Sequence, residues 1–179
     1  MNKIIILLAN GFEEIEALAP LDVLRRLDYD VKLISMNATK EVVSSHKVIF
    51  TADELFSNDL VNASGLIIPG GMPGAVNLRD DDRVINLVRK FHQEKKMIAA
   101  ICAGPIVLGK AEILKDLIVT SYPGFQDELG AKAYVEDKVV LCENVITSRG
   151  TATAFDFAFK IAEYLGLDTK NLKKGMLFI

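Results

Sequence analysis

The segment Met97-Ile98-Ala99-Ala100-Ile101-Cys102-Ala103-Gly104-Pro105 puts a thiol where an apolar, strand-like run stops and a helix can begin. A sharp strand-to-helix turn crowds the positions two residues either side of its apex. Here they are Ala100 and Gly104, the small residues a nucleophile elbow needs. Pro105 suits a first helical turn, where its missing N–H costs nothing. A thiol beside the positive end of a helix dipole is expected to titrate below its free value, and the thiolate is the reactive form. An inert buried cysteine is the commoner state of a free thiol, so the apex position is what argues for chemistry. Cys142, at a turn between two short apolar runs, has no such context and reads as structural or incidental.

Four other segments could serve that thiol. Gly70-Gly71-Met72-Pro73-Gly74 follows an apolar run. Its backbone N–H groups, those of Gly70 and Gly71 first, can hold an oxyanion or carbonyl, or the segment can be a tight turn only. It is neither a P-loop nor a dinucleotide fingerprint. Glu13, Glu14 and Glu16 open the first helical pattern. Most of this charge suits a helix N-terminus, and a single inward carboxylate can face Cys102 as a proton partner. Cys–His pairing is the usual way to activate a thiol, but neither histidine neighbours the elbow in sequence. His46 lies in the polar turn Ser44-Ser45-His46-Lys47, and His92, among Arg89, Lys90, Glu94 and Lys95, reads as solvent-exposed. Ser148-Arg149-Gly150 ends the last strand-like run. It can hold an anionic group, or Arg149 can be a surface cation.

The elements that must position these groups alternate. Strands are expected at Ile4–Leu8, Val31–Ser35, Leu66–Ile68, Met97–Ile101, Leu117–Thr120, Val139–Leu141 and Val145–Thr147, with a hairpin or extension over 42–50. Helices are expected at Glu13–Asp28 (kinked at Pro20), Asp81–Lys95, Gly104–Ile113 and Thr153–Leu165. Such alternation argues for an α/β protein with a mostly parallel sheet and helices on both faces, read here as one domain over 1–179. Ligands of such sheets bind beyond the carboxyl ends of the strands, where Cys102 and the glycine-rich loop both fall.

Composition narrows the class. Of 179 residues, 50% are hydrophobic and 25% charged, with a net charge of −3. That is an ordinary globular profile without the basic stripe of a nucleic-acid binder. No apolar run approaches the roughly 20 residues that span a bilayer. The six apolar residues after Met1-Asn2-Lys3 are too few for a signal h-region. A cytoplasmic location follows as an expectation, with two cysteines kept as free thiols. No metal or other cofactor is expected.

Taken together, Gly11-Phe12-Glu13-Glu14-Ile15-Glu16, Pro69-Gly70-Gly71, Ala99-Ala100-Ile101-Cys102-Ala103-Gly104-Pro105 and Thr147-Ser148-Arg149-Gly150 resemble, in order and spacing, the ThiJ/PfpI superfamily. The resemblance runs nearly end to end and is closest to the branch of the Parkinson-disease-associated deglycase. It implies a flavodoxin-like three-layer sandwich, related to class I glutamine amidotransferases, that forms a homodimer. By position Cys102 is similar to the family's oxidation-prone nucleophile, Glu16 to the carboxyl that hydrogen-bonds it, and Gly71 and Ala103 to the backbone donors beside it. The implied activities are glyoxalase or deglycase action on small reactive carbonyl compounds or modified protein groups, or else redox sensing and redox-regulated chaperone action. Three positions depart from the family pattern. Tyr122 stands where many members carry a histidine, which makes protease action unlike this chain. His46 replaces an arginine at the dimer edge, and Gly150-Thr151-Ala152 replaces the usual Gly-Pro-Gly.

Overall fold

The computed structural model describes residues 3–178; Met1 and Asn2, at the head of the stretch read as too short for a signal, lie outside it. In chain order the elements are β1 (Ile4–Leu8), α1 (Glu14–Arg26), β2 (Val31–Ser35), β3 (Glu41–Val43), β4 (Ile49–Thr51), β5 (Glu54–Leu55), β6 (Gly65–Ile68), α2 (Gly74–Arg79), α3 (Asp82–Gln93), β7 (Met97–Ile101), α4 (Pro105–Lys110), β8 (Ile118–Val119), α5 (Gln126–Leu129), β9 (Ala133–Tyr134), β10 (Val139–Cys142), β11 (Val145–Ser148), α6 (Ala154–Tyr164) and α7 (Lys170–Gly175).

Seven strands form the central sheet in the order β10-β11-β7-β6-β1-β2-β5. All neighbours are parallel except β10, which runs antiparallel to β11. Ile4–Leu8 is buried along its whole length because both sheet faces are covered. Ile5 and Leu7 point to a core shared with α3 and α4. Ile4, Ile6 and Leu8 point to a second core built with α1 and α6. These are the three layers of a flavodoxin-like sandwich. Phe157 and Phe159 of α6 are buried in the second core, each stabilising the fold by about 1.5–3 kcal/mol.

Several expected elements differ in extent. α1 runs from Glu14 to Arg26 with Pro20 inside it, two residues short of the expected end at Asp28. α3 starts after Asp81, whose carboxylate accepts from the Arg83 N–H and caps the helix. The helix after the elbow is shorter than the expected 104–113, stopping at Lys110. Residues 41–51 form the hairpin β3–β4. The strand expected at 117–120 contributes only two residues, and these pair with β9 in a small sheet of their own. No helix among the described residues is long and apolar enough to cross a membrane.

The chain leaves β1 toward β2 on one side and returns to β6 on the other, so the strand order reverses between β1 and β6. A crevice at the carboxyl ends of strands flanking such a reversal is the usual ligand position. The loops after β1, β6, β7 and β11 all open there.

Candidate active site

The β7–α4 turn puts Cys102 at φ +62°, in the left-handed region. For a residue with a side chain this conformation costs on the order of 1 kcal/mol. Three backbone hydrogen bonds hold it. Cys102 N–H donates to Ser148 O at 3.0 Å, Tyr122 N–H donates to Cys102 O at 2.9 Å, and Gly104 N–H donates to Ile101 O at 2.8 Å. The need for small residues around the apex is borne out at Gly104, where a Cβ would lie 2.6 Å from Ile68 O and 2.9 Å from Ile101 O.

Of the three glutamates at the start of α1, Glu16 is the inward one. It is fully buried, and its carboxyl is a hydrogen-bond partner of the Cys102 thiol. Gly70 N–H donates to Glu16 Oε2 at 2.9 Å, and the Thr151 hydroxyl donates to Oε1 at 3.1 Å. The backbone must come very close for this. A Cβ on Gly70 would lie 2.7 Å from Cys102 Cβ, 2.7 Å from Glu16 Oε2 and 2.9 Å from Ala103 N. At the sulfur, the backbone amides of Ala103 and Gly71 act in the opposite sense to burial, favouring negative charge.

Burial, and the charge of Glu13 beyond it, raise the Glu16 carboxyl to about 7. Its hydrogen bonds with Cys102, Gly70 and Thr151 pull the other way. The expectation that the Cys102 thiol would titrate below its free value is corrected here. Burial, the Glu16 charge and the hydrogen bond to Glu16 push it up to about 12, and the Ala103 and Gly71 amides offset only part of that. α4 has six residues, so its dipole is small beside a neighbouring carboxylate. The two groups titrate as a pair. Between about 7 and about 12 they share one proton, and a thiolate forms when that proton rests on Glu16.

The remaining expected residues fall in different places. Tyr122 is 52% exposed. With Pro123 and residues 149–153, Arg149 among them, it lines a cleft of about 410 Å³. Arg149 Nη1 donates to the backbone oxygen of Glu136 at 3.1 Å and pairs with its carboxylate at 3.2 Å. Ser148 does not face a ligand. It is buried, with its hydroxyl 2.6 Å from Lys138 O and 2.7 Å from the Thr153 hydroxyl. His46 is 68% exposed, and its Nδ1 sits 3.1 Å from the Glu14 carboxylate. That hydrogen bond and charge raise its pKa, and nothing brings it to Cys102. His92 is half-buried rather than exposed, with Nδ1 enclosed, where it faces residues 112–117 of the loop after α4. Cys142 is half-buried on β10.

Thr151 is the residue that sequence reasoning left without a role. Its contact with Glu16 spans 135 positions, and the only available signal was its place in the departure from Gly-Pro-Gly.

Comparison with known proteins finds DJ-1 relatives in both sequence and fold. Drosophila melanogaster protein dj-1beta is 35% identical over 178 residues, covering 97% of this chain and 95% of that one. YraA of Bacillus subtilis, named as a candidate cysteine protease, is 35% identical over 152 residues, covering 83% and 89%. Two Arabidopsis thaliana DJ-1 homologues are longer, and the chain spans 37% and 45% of their lengths. The solved structure of Toxoplasma gondii DJ-1, in oxidized form, superposes with a TM-score of 0.92 at 33% identity, covering 99% and 98%. The family description DJ-1/PfpI matches residues 2–164, which take in β1, the elbow and every loop that meets at the thiol; the chain belongs to the DJ-1/PfpI family.

Proposed function

We propose that this protein acts on small reactive aldehydes or their adducts on protein groups, in the manner of a glyoxalase or deglycase, through Cys102 with Glu16 as proton partner. The observation that carries the reading is the buried thiol–carboxyl pair at the left-handed elbow. With the shared proton on Glu16, the thiolate attacks the aldehyde carbon and a C–S bond forms. The carbonyl π pair moves to oxygen, and that oxygen takes the Glu16 proton to leave a hemithioacetal and a Glu16 carboxylate. Backbone N–H groups of Gly71 and Ala103 are the groups available to steady the charge; the Gly70 N–H, expected to serve with them, is held by Glu16 Oε2 instead. The Tyr122–Arg149 cleft is the space available to the rest of the substrate. The scheme calls on no metal or cofactor.

A non-enzymatic redox sensor or redox-regulated chaperone is the second reading. Its support is that neither histidine reaches Cys102, and that the superposed Toxoplasma relative is an oxidized form. One pair of proteins separates the two readings. Methylglyoxal consumption is expected to fall to background in Cys102→Ala, and equal rates in wild type and variant would sink the enzyme reading. Intact mass after mild peroxide is expected to rise by one or two oxygens at Cys102 under the sensor reading. Oxygen found only on Cys142 would remove it.

We also place the protein, as a one-domain chain, in the cytoplasm, where such a thiol persists reduced, and as a homodimer. Exposed Ile15 at the start of α1 and Val48 and Ile49 on the adjoining hairpin offer an apolar surface to a second copy. Sedimentation is expected to give a dimer at micromolar concentration, and a clean monomer would refute it.

A further inference from the structure

Glu16 has no exposed surface, so its behaviour is set by the few groups that touch it. Its oxygens are not equivalent. Oε2 accepts from the Gly70 N–H, and a Cβ at Gly70 would be 2.7 Å from both Oε2 and Cys102 Cβ. Oε1 accepts from the Thr151 hydroxyl at 3.1 Å. Thr151 is itself exposed and lines the Tyr122–Arg149 cleft. It stands in the short helical turn 151–153 that leads into α6, and that turn is fixed on its other side by Thr153 N–H donating to Gly150 O at 2.8 Å.

The Thr151 hydroxyl on Oε1 adds a second donor to a carboxyl whose Oε2 already accepts from the Gly70 N–H. It also stabilises the ionised carboxylate. We infer that Thr151 is a positioning residue of the thiol site: its hydroxyl, held on Oε1 while the Gly70 N–H holds Oε2, stabilises the Glu16 carboxylate and so governs the proton exchange between carboxyl and sulfur. The exchange is balanced within the pair. The S–H bond of Cys102 breaks, its proton joins the Glu16 carboxylate, and the negative charge passes from the carboxylate to sulfur. Without the hydroxyl, the carboxylate loses a charged hydrogen bond.

This inference rests on the Cys102–Glu16 pair as the working site and not on the choice of carbonyl substrate. The test is the rate of Cys102 alkylation by iodoacetamide, followed by mass between about pH 5 and about pH 10. Wild type, Thr151→Val, Thr151→Ser and Glu16→Gln are compared. Wild-type reactivity is expected to rise through about 7, as the pair gives up its first proton. Thr151→Val keeps the shape of the side chain and is expected to move that midpoint up by about one pH unit, the size expected for one hydrogen bond to a carboxylate. Thr151→Ser is expected to restore it. A midpoint unchanged in Thr151→Val, or a serine variant that behaves like valine, overturns the role given to Thr151 while the pair stands. A profile unchanged in Glu16→Gln overturns the pair itself, and this inference with it.

Discussion

A Glu16→Gln variant is expected to gain stability on wild type as pH rises, by roughly 3 kcal/mol between about pH 4 and about pH 8. In the folded chain the carboxyl holds its proton up to about 7, against an ordinary value of 4.5. A group whose folded pKa is raised contributes stability that is complete below the unfolded value and lost as pH rises through the folded one. The window is therefore from about 4.5 to about 7, and wild type becomes weaker across it because an ionised carboxylate must stay buried. Glutamine does not titrate, so its difference from wild type carries the whole change. Cys102 is also raised, but its contribution is lost only on going from about 9 to about 12 and leaves this window untouched. Urea unfolding of both proteins at the two pH values measures the swing. A difference that stays flat would mean that Glu16 titrates as an exposed carboxyl does.

Replacing Gly70 by alanine is expected to cost about 1–3 kcal/mol of stability, the range for overpacking a filled interior, and to uncouple the thiol from its partner. The new methyl would stand 2.7 Å from Cys102 Cβ and from Glu16 Oε2, and 2.9 Å from the Ala103 nitrogen. Two of those atoms belong to the elbow, so Glu16 is the group free to give way. Once it moves, Cys102 loses the nearby charge but stays buried, so its titration is expected to fall from about 12 yet remain above the free value of about 8.5. Gly175→Ala is the control, because a Cβ there meets nothing within 4 Å and alanine is the better helix former by up to about 1 kcal/mol. Urea midpoints and the ultraviolet titration of the thiolate report the two effects separately. A Gly70→Ala protein as stable as wild type, with its thiol still titrating near 12, would show that the backbone there has room to spare.

The parts of this fold that were legible in the sequence are those set by local chemistry. The β-branched run Ile4–Leu8, the apolar run Met97–Ile101 and the small residues around Cys102 each state their own conformation, and strand, strand and elbow lie where they were read. α2 was not legible, because Pro73-Gly74 reads as a loop while the helix begins at Gly74 itself. Its six residues are kept helical by packing of Ala75 and Leu78 against the core. The thiol's titration was misread for a related reason. A helix terminus is visible along the chain, whereas the desolvation of Cys102 and the charge on Glu16 exist only after β1, β6 and β7 have been brought side by side. Ser148 was misread likewise, since its inward direction follows from pairing β11 with both β7 and β10.

The left-handed backbone at residue 102 also limits which nucleophiles this scaffold can host. A β-branched side chain in that region is a true steric outlier, so threonine is barred from the apex even though it offers a hydroxyl. Serine and aspartate, with one substituent on Cβ, are admitted. Directed evolution of new chemistry on this fold therefore excludes threonine, valine and isoleucine at its central position, and cysteine, serine and aspartate are among the residues left to it.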